Sequence, residues 1–271
     1  MLFSVFTATN KVGSLASNLP AQRALPVCLP VNIPDKVSLS RQIEQRFKSG
    51  QGFALATLNL DHLVKLSSSA RFRETYGRQD LVVADGNPIV WLSKLAGRPV
   101  DLMPGSDLVI PLARLAVESD IKIALVGSTE HALKKAATAL QKTVPGLKVA
   151  TVIAPPFGFD PEGRDADKIL DQVDRSGARL CFVALGAPKQ EAFAARGRER
   201  TPHVGFASVG AGLDFLAGSQ VRAPSWIRQL ALEWVWRMMT SPRRLGPRYL
   251  RCMLILPGQI IAALKTRLRS A

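Results

Sequence analysis

A chain of 271 residues, 47% of them hydrophobic, is long enough to bury a full core as one large domain with extensions. Its three cysteines (Cys28, Cys181 and Cys252) are scattered and odd in number, which excludes a disulfide framework, and neither a CxxC nor an HExxH run offers a metal site. The net charge of +15 is concentrated in the tail: residues 222–271 hold ten basic side chains against the single acid Glu233, a block suited to a solvated face, an anionic membrane or nucleic acid.

Residues 1–30 read as a loosely ordered leader, with an apolar start that lacks the basic flank of a signal peptide. No run of about 18 apolar residues predicts a spanning helix. A helix is predicted over 38–48, capped by Ser38. A strand over 53–59 follows, then one helix over 61–73 and a short apolar strand over 81–84. Helices are expected over 87–95 and 106–118, and a strand over 122–126 delivers Gly127 and Ser128 to a helix over 130–142. Strands at 148–153, 180–185 and 203–209 alternate with a helix at 165–176 and a further helix opened by GAPKQE (186–191). In the tail, 225–239 carries an apolar stripe at helical spacing, and 249–256 and 259–268 read as two apolar-basic segments broken by Pro257-Gly258.

Strands alternating with helices of this length predict an α/β fold: a Rossmann-like, mostly parallel sheet over 31–220 with helices on both faces, and a basic helical appendage over 221–271. Five of the six predicted strands end in polar or glycine chemistry, namely Thr57 and Asn59, Asp85 and Gly86, Gly127 and Ser128, Gly186 to Gln190, and Gly210 to Asp214. In a parallel sheet these ends share one edge, where helix N-termini make an anion site. VGSTEHA is neither a Walker A loop nor a GxGxxG fingerprint, which weighs against P-loop hydrolases and ordinary dinucleotide enzymes. Asp85, in LVVADGNPIV, is either a cap at a strand-to-helix turn or a carboxylate facing the ligand crevice.

The motifs TLN (57–59), VVADG (82–86), GSDL (105–108), LVGS (125–128), PPFGF (155–159), LGAPKQE (185–191), VGAGLDFLAG (209–218), RAPSW (222–226), LEWVWR (232–237) and SPRRLGPRYL (241–250) occur in that order. Together they resemble the WecG/TagA/CpsF glycosyltransferases over about residues 31–250, most specifically in LGAPKQE and in RAPSW with LEWVWR. The resemblance implies inverting, metal-independent transfer of a sugar from a UDP-sugar to a polyprenyl-diphosphate-linked acceptor, without a cofactor, at the cytoplasmic membrane face. It assigns Asp85 as the base that deprotonates the acceptor hydroxyl. Thr57 and Asn59 match its TxN motif and would hydrogen-bond sugar or acceptor, although turn-forming residues at a strand end read the same way.

Further expectations follow for the donor. Gln190 would contact it, Lys189 would face the diphosphate, and the Gly127, Ser128 and Gly186 turns would line its phosphates. Asp214 would accept from ribose or uracil, and Phe157 (or Phe159) would stack on the base. Glu191 would orient a neighbour or bind the helix end, two roles that the sequence leaves open. Without a metal, the charge on departing UDP needs guanidinium groups, first Arg222, then Arg237 and Arg244. The sequence departs from the family at Phe193, where tryptophan is common, and in VDLMPG, which lacks an arginine before the glycine of GSDL. N-acetylmannosamine, its uronic acid and glucose-type donors all occur in the family. Apolar faces beside basic residues suit an anionic membrane surface, and a homo-oligomer is compatible with the tail. The rival reading, a basic nucleic-acid- or membrane-binding module with a vestigial nucleotide site, lacks aromatics interleaved with basic residues on a sheet face.

Overall fold

The computed structural model describes residues 30–220, 223–224, 227, 233–240 and 242–270, with the backbone alone at Arg237, Thr240, Arg244 and Ser270. The expected leader over 1–30 therefore falls outside the described residues except for its last position, as do Arg222 and, within the stripe over 225–239, residues 225–226 and 228–232. Six strands, β1 (Phe53–Leu58), β2 (Leu81–Ala84), β3 (Lys122–Gly127), β4 (Val149–Ile153), β5 (Ala178–Ala184) and β6 (Gly205–Ser208), form one sheet in the order β2-β1-β6-β5-β3-β4. Every pairing is parallel. The last strand is thus inserted at the centre, between β1 and β5.

Alternation along the strands sorts the core into two faces. Phe53 and Leu55 of β1 pack with α1 (Lys36–Ser49), α5 (Gly105–Glu118) and α6 (Glu130–Thr143). Ala54 faces the other side, towards α7 (Arg164–Arg175) and α8 (Lys189–Arg200). Ala56 and Leu58 meet α2 (Leu60–Ser68), α3 (Ala70–Gly77) and α4 (Asn87–Leu95). Central strands buried on both faces need continuous apolar runs, which is why LCFVA in β5 carries no polar alternation. The short α9 (Gly212–Leu216) follows β6. Helices α10 (Glu233–Thr240) and α11 (Pro242–Ser270) form the tail.

Three local expectations are corrected. The cap of α1 is Asp35, whose carboxylate accepts the Ser38 N–H at 2.7 Å and the Ser38 hydroxyl at 2.9 Å. A carboxylate one turn earlier outcompetes the serine and complements the helix dipole. The helix predicted over 61–73 is two helices, because Ser69 adopts extended backbone. Ser69 donates its N–H to the Lys65 carbonyl and accepts the Phe72 N–H on its hydroxyl at 3.2 Å, closing α2 and opening α3. The new direction buries Phe72, Thr75 and Tyr76.

The third correction concerns Pro257, which does not break the tail: α11 is continuous through it. The proline lies on the exposed side, while Cys252, Gln259, Ala262 and Ala263 on the opposite side are buried before and after it. Packing on α2 and α4 on both sides of Pro257 offsets the roughly 3 kcal/mol cost of a proline inside a helix. Arg248 of α11 reaches Asp61 in the first turn of α2 at 3.3 Å, and Arg267 lies beside Gly97, just past the end of α4. The helix therefore starts at the carboxyl edge of the sheet and runs alongside α4 towards the amino edge.

Asp80, just before β2, pins the amino edge. Its carboxylate accepts the Ala54 N–H at 2.9 Å, Arg198 of α8 at 3.1 Å and Arg46 of α1 at 3.4 Å. Asp80→Ala removes all three hydrogen bonds and leaves a strand N–H and two guanidinium groups without that partner. Stability is expected to fall by about 2 kcal/mol, read as a lower urea midpoint at unchanged m.

Candidate active site at the carboxyl edge

Because all six strands are parallel, their carboxyl ends open on one edge, and β6 at the centre places the loop after it beside those of β1 and β5. Asp85 follows β2, and its N–H donates to the Leu58 carbonyl at 2.7 Å, extending the β1–β2 ladder by one residue. Its side chain is half-buried rather than lost in the core. Gly86, at φ +107°, turns the chain into α4, which has Pro88 in its first turn and no side-chain cap. The start of α8 also lacks a side-chain cap. Two helix N-termini therefore direct uncapped dipole ends at this edge.

At the other side of the edge, β3 ends at Gly127 and Ser128. A Cβ on Gly127 would sit 2.3 Å from the Ala184 carbonyl oxygen, so only glycine lets β3 and β5 close there. Ser128, with φ +46°, donates its hydroxyl to Asp214 of α9 at 2.5 Å, and Gln220 donates to the second carboxylate oxygen at 3.1 Å. Adjacent strands lie about 4.8 Å apart, so the four steps from β2 to β3 set Asp85 and the Ser128–Asp214 pair roughly 19 Å apart. The carboxyl ends of β1, β6 and β5 lie between them.

Asn59, Asp85, Gly127, Ser128, Gly186, Gln190 and Asp214 all gather at this edge, but several are engaged within the protein. Thr57 is buried and donates to the Ser208 carbonyl at 3.4 Å. Asn59 caps α2, with Oδ1 accepting the His62 N–H at 3.1 Å. Lys189, expected at a diphosphate, donates to the Phe159 carbonyl at 2.8 Å and so braces the loop after β4. It borders a cleft of about 350 Å³ between α2, α3 and α8, where Arg71 pairs with Glu162. Phe157 is fully exposed in the loop after the edge strand β4, whereas Phe159 packs edge-on against Phe193 at 5.9 Å. Arg222 lies outside the described residues, as do the side chains of Arg237 and Arg244.

Behind the edge is a buried polar group that sequence reading left out, apart from Gln190 and Glu191 themselves. Gln190 donates its amide NH₂ to Glu191 Oε1 at 2.8 Å and accepts the Gly210 N–H on Oε1 at 3.1 Å. His62 stands 2.9 Å from the Tyr76 hydroxyl through Nδ1 and 3.8 Å from Glu191 Oε1 through Nε2. Burial pushes the Glu191 carboxyl up to about 7, against the Gln190 hydrogen bond and the Lys65 charge. Burial holds His62 down at about 3, helped by Lys65 and Arg248 and opposed by Asp61. His62 is therefore neutral at physiological pH, and its contact with Glu191 is not an ion pair. Tyr76 is raised well above its usual value by burial, then by the Glu191 and Asp85 charges, so it stays a neutral phenol. The available signal was His62 and Leu66, four apart on the inward face of α2.

Comparison with known proteins points the same way as the edge chemistry. The model of the Glycosyl transferase WecG/TagA/CpsF family matches residues 27–271. An N-acetylglucosaminyldiphosphoundecaprenol N-acetyl-beta-D-mannosaminyltransferase of Bacillus spizizenii (strain ATCC 23059 / NRRL B-14472 / W23) is 28% identical over 223 residues, covering 82% of this chain and 82% of its own length. A protein of the same name from Bacillus subtilis (strain 168) is 26% identical over 216 residues, 79% of this chain and 80% of its own.

Proposed function

The chain belongs to the WecG/TagA/CpsF family of glycosyltransferases, and from that premise we propose that it moves a sugar from a UDP-sugar to a polyprenyl-diphosphate-linked acceptor, with inversion and without a metal. The observation that carries this reading is the position of Asp85, a half-buried carboxylate at the carboxyl edge of an all-parallel sheet, beside the uncapped start of α4. The acceptor hydroxyl attacks the anomeric carbon while Asp85 takes its proton. The bond from that carbon to the β-phosphate oxygen breaks, and its electron pair leaves with UDP. The nucleoside lies towards Ser128 and Asp214 and the sugar towards Asp85. Arg222, Arg237 and Arg244 neutralise the departing diphosphate. N-acetylmannosamine is the first-choice donor sugar, because both relatives are named for its transfer, and its uronic acid and glucose-type sugars are the alternatives. The product belongs to cell-surface polysaccharide synthesis.

The acceptor reading implies a membrane surface. No helix among the described residues is long and apolar enough to cross a membrane. On the outer side of α11, however, Leu250, Leu254, Ile261, Leu264 and Leu268 are exposed, flanked by Arg251, Lys265 and Arg267, with no acid from 242 to 270. Such a face lies flat on anionic lipid at the cytoplasmic side, with arginines of the same tail left at the site. Leu254→Asp with Ile261→Asp is expected to lower binding to vesicles of anionic lipid at least about tenfold, read by co-sedimentation. Unchanged partitioning would remove α11 as the anchor.

The activity itself is tested by mass spectrometry of an N-acetylglucosaminyl-diphosphopolyprenol acceptor incubated with a panel of UDP-sugars. A gain of one sugar residue with one donor is expected and names that donor. No gain with any of them would overturn the reading.

A further inference from the structure

Glu191 has no place in the transfer chemistry, yet it is fully buried at the start of α8, and its Oε2 has no hydrogen-bond partner. A buried carboxylate with an orphaned oxygen costs stability, so a benefit elsewhere is expected. That benefit lies in the neighbouring amide. A glutamine side chain presents NH₂ at one end and C=O at the other, and its partners decide which way round it sits. Here Glu191 Oε1 takes the NH₂ of Gln190, which leaves the carbonyl oxygen facing the Gly210 N–H. The reversed amide would set NH₂ against that N–H, donor against donor. Gly210, at φ +55°, begins the turn into α9, which carries the Asp214 that holds Ser128.

We propose that Glu191 is a positioning residue: by fixing the polarity of the Gln190 amide it clamps the Gly210 turn, and through it the Ser128–Asp214 end of the crevice where the donor nucleoside binds. The role given to that end rests on the UDP-sugar reading above; the clamp itself does not. What is required of Glu191 is an acceptor oxygen, not a charge. Burial brings its carboxyl close to neutrality, and Oε1 keeps a lone pair in both protonation states. The titratable groups around it are His62, Asp61 and Lys65 of α2 and Tyr76 of α3, with Arg248 of α11 acting on His62. Glu191 itself is held in place by α8 and by Gln79, whose amide donates to the Glu191 carbonyl at 3.1 Å.

Two variants separate an acceptor from bulk. Glu191→Met fills the volume without an acceptor, and Glu191→Gln keeps one. Hydrogen exchange at the Gly210 N–H, followed by NMR on the full chain without substrate, reads the clamp directly. Glu191→Met is expected to lose at least about tenfold of that protection while the amides of β3 keep theirs. Glu191→Gln is expected to stay within about twofold of wild type. With donor and acceptor present, Glu191→Met raises KM for the UDP-sugar at least about tenfold with kcat little changed, and Glu191→Gln restores it. Full Gly210 protection in the Met variant would overturn the clamp, as would its loss in the Gln variant or an equal loss throughout β3. Because exchange needs no donor, failure of the UDP-sugar reading registers separately, as a wild-type protein that neither binds UDP nor turns over.

Discussion

Asn in place of Asp85 is expected to lower turnover at least about a hundredfold, and as far as about ten-thousandfold, while the chain stays folded. The substitution is nearly isosteric, and the backbone N–H at position 85 keeps its bond to the Leu58 carbonyl. What disappears is a group able to take the proton of the acceptor hydroxyl as the new bond forms. A neutral amide also withdraws the negative charge that would stabilise oxocarbenium character at the anomeric carbon. Both losses fall on the transition state, so kcat carries the effect and KM for the donor stays near wild type. Initial rates of UDP release, with circular dichroism as the check on folding, measure it. A variant within about threefold of wild type would remove Asp85 as the base.

The second large effect is on stability, and its sign follows from the two buried groups behind the site. Glu191 holds its proton up to about pH 7 in the folded chain, against 4.5 when unfolded. Across that window the unfolded chain has released the proton and the folded chain has not, so stability falls as pH rises through it. His62 runs the other way. Its folded value of about 3, against 6.5 unfolded, makes stability fall as pH drops through that window. Between 4.5 and 6.5 the two slopes oppose each other, and their joint contribution is nearly flat. Glu191→Gln removes one side. Its stability relative to wild type is expected to grow by about 3 kcal/mol between pH 4.5 and 7.5, on top of a constant offset, and to be level outside that range. Urea unfolding at half-unit pH steps reads this; a difference independent of pH would mean that Glu191 ionises normally in the folded chain.

Much of the carboxyl edge was legible from residue order. Continuous apolar runs such as LCFVA mark strands covered on both faces, and a parallel sheet then forces Asn59, Asp85, Ser128, Gly186 and Gly210 onto one edge whatever the strand order. The central position of β6 was not legible, because periodicity says nothing about which parallel strands become neighbours. Local competition defeated other expectations. Ser38 is a good cap, but Asp35 is a better one. Ser69 ends one helix and caps the next, a double role that a run of three serines only hints at. Pro257 reads as a breaker until α2 and α4 are known to hold α11 on both sides of it. The partners of Lys189 and Gln190 within the protein, the Phe159 carbonyl and the Glu191–Gly210 pair, were not legible either. Which partner a long polar side chain takes depends on loops far away in sequence.

The central claim is a direct, metal-independent displacement in which Asp85 serves as base. The most direct test is NMR of the product formed in excess EDTA from an α-linked UDP-sugar, with the anomeric configuration read at the new linkage. A β-linked product at an undiminished rate is the expected result. An α-linked product, or a rate abolished by EDTA and restored by a divalent cation, would contradict it.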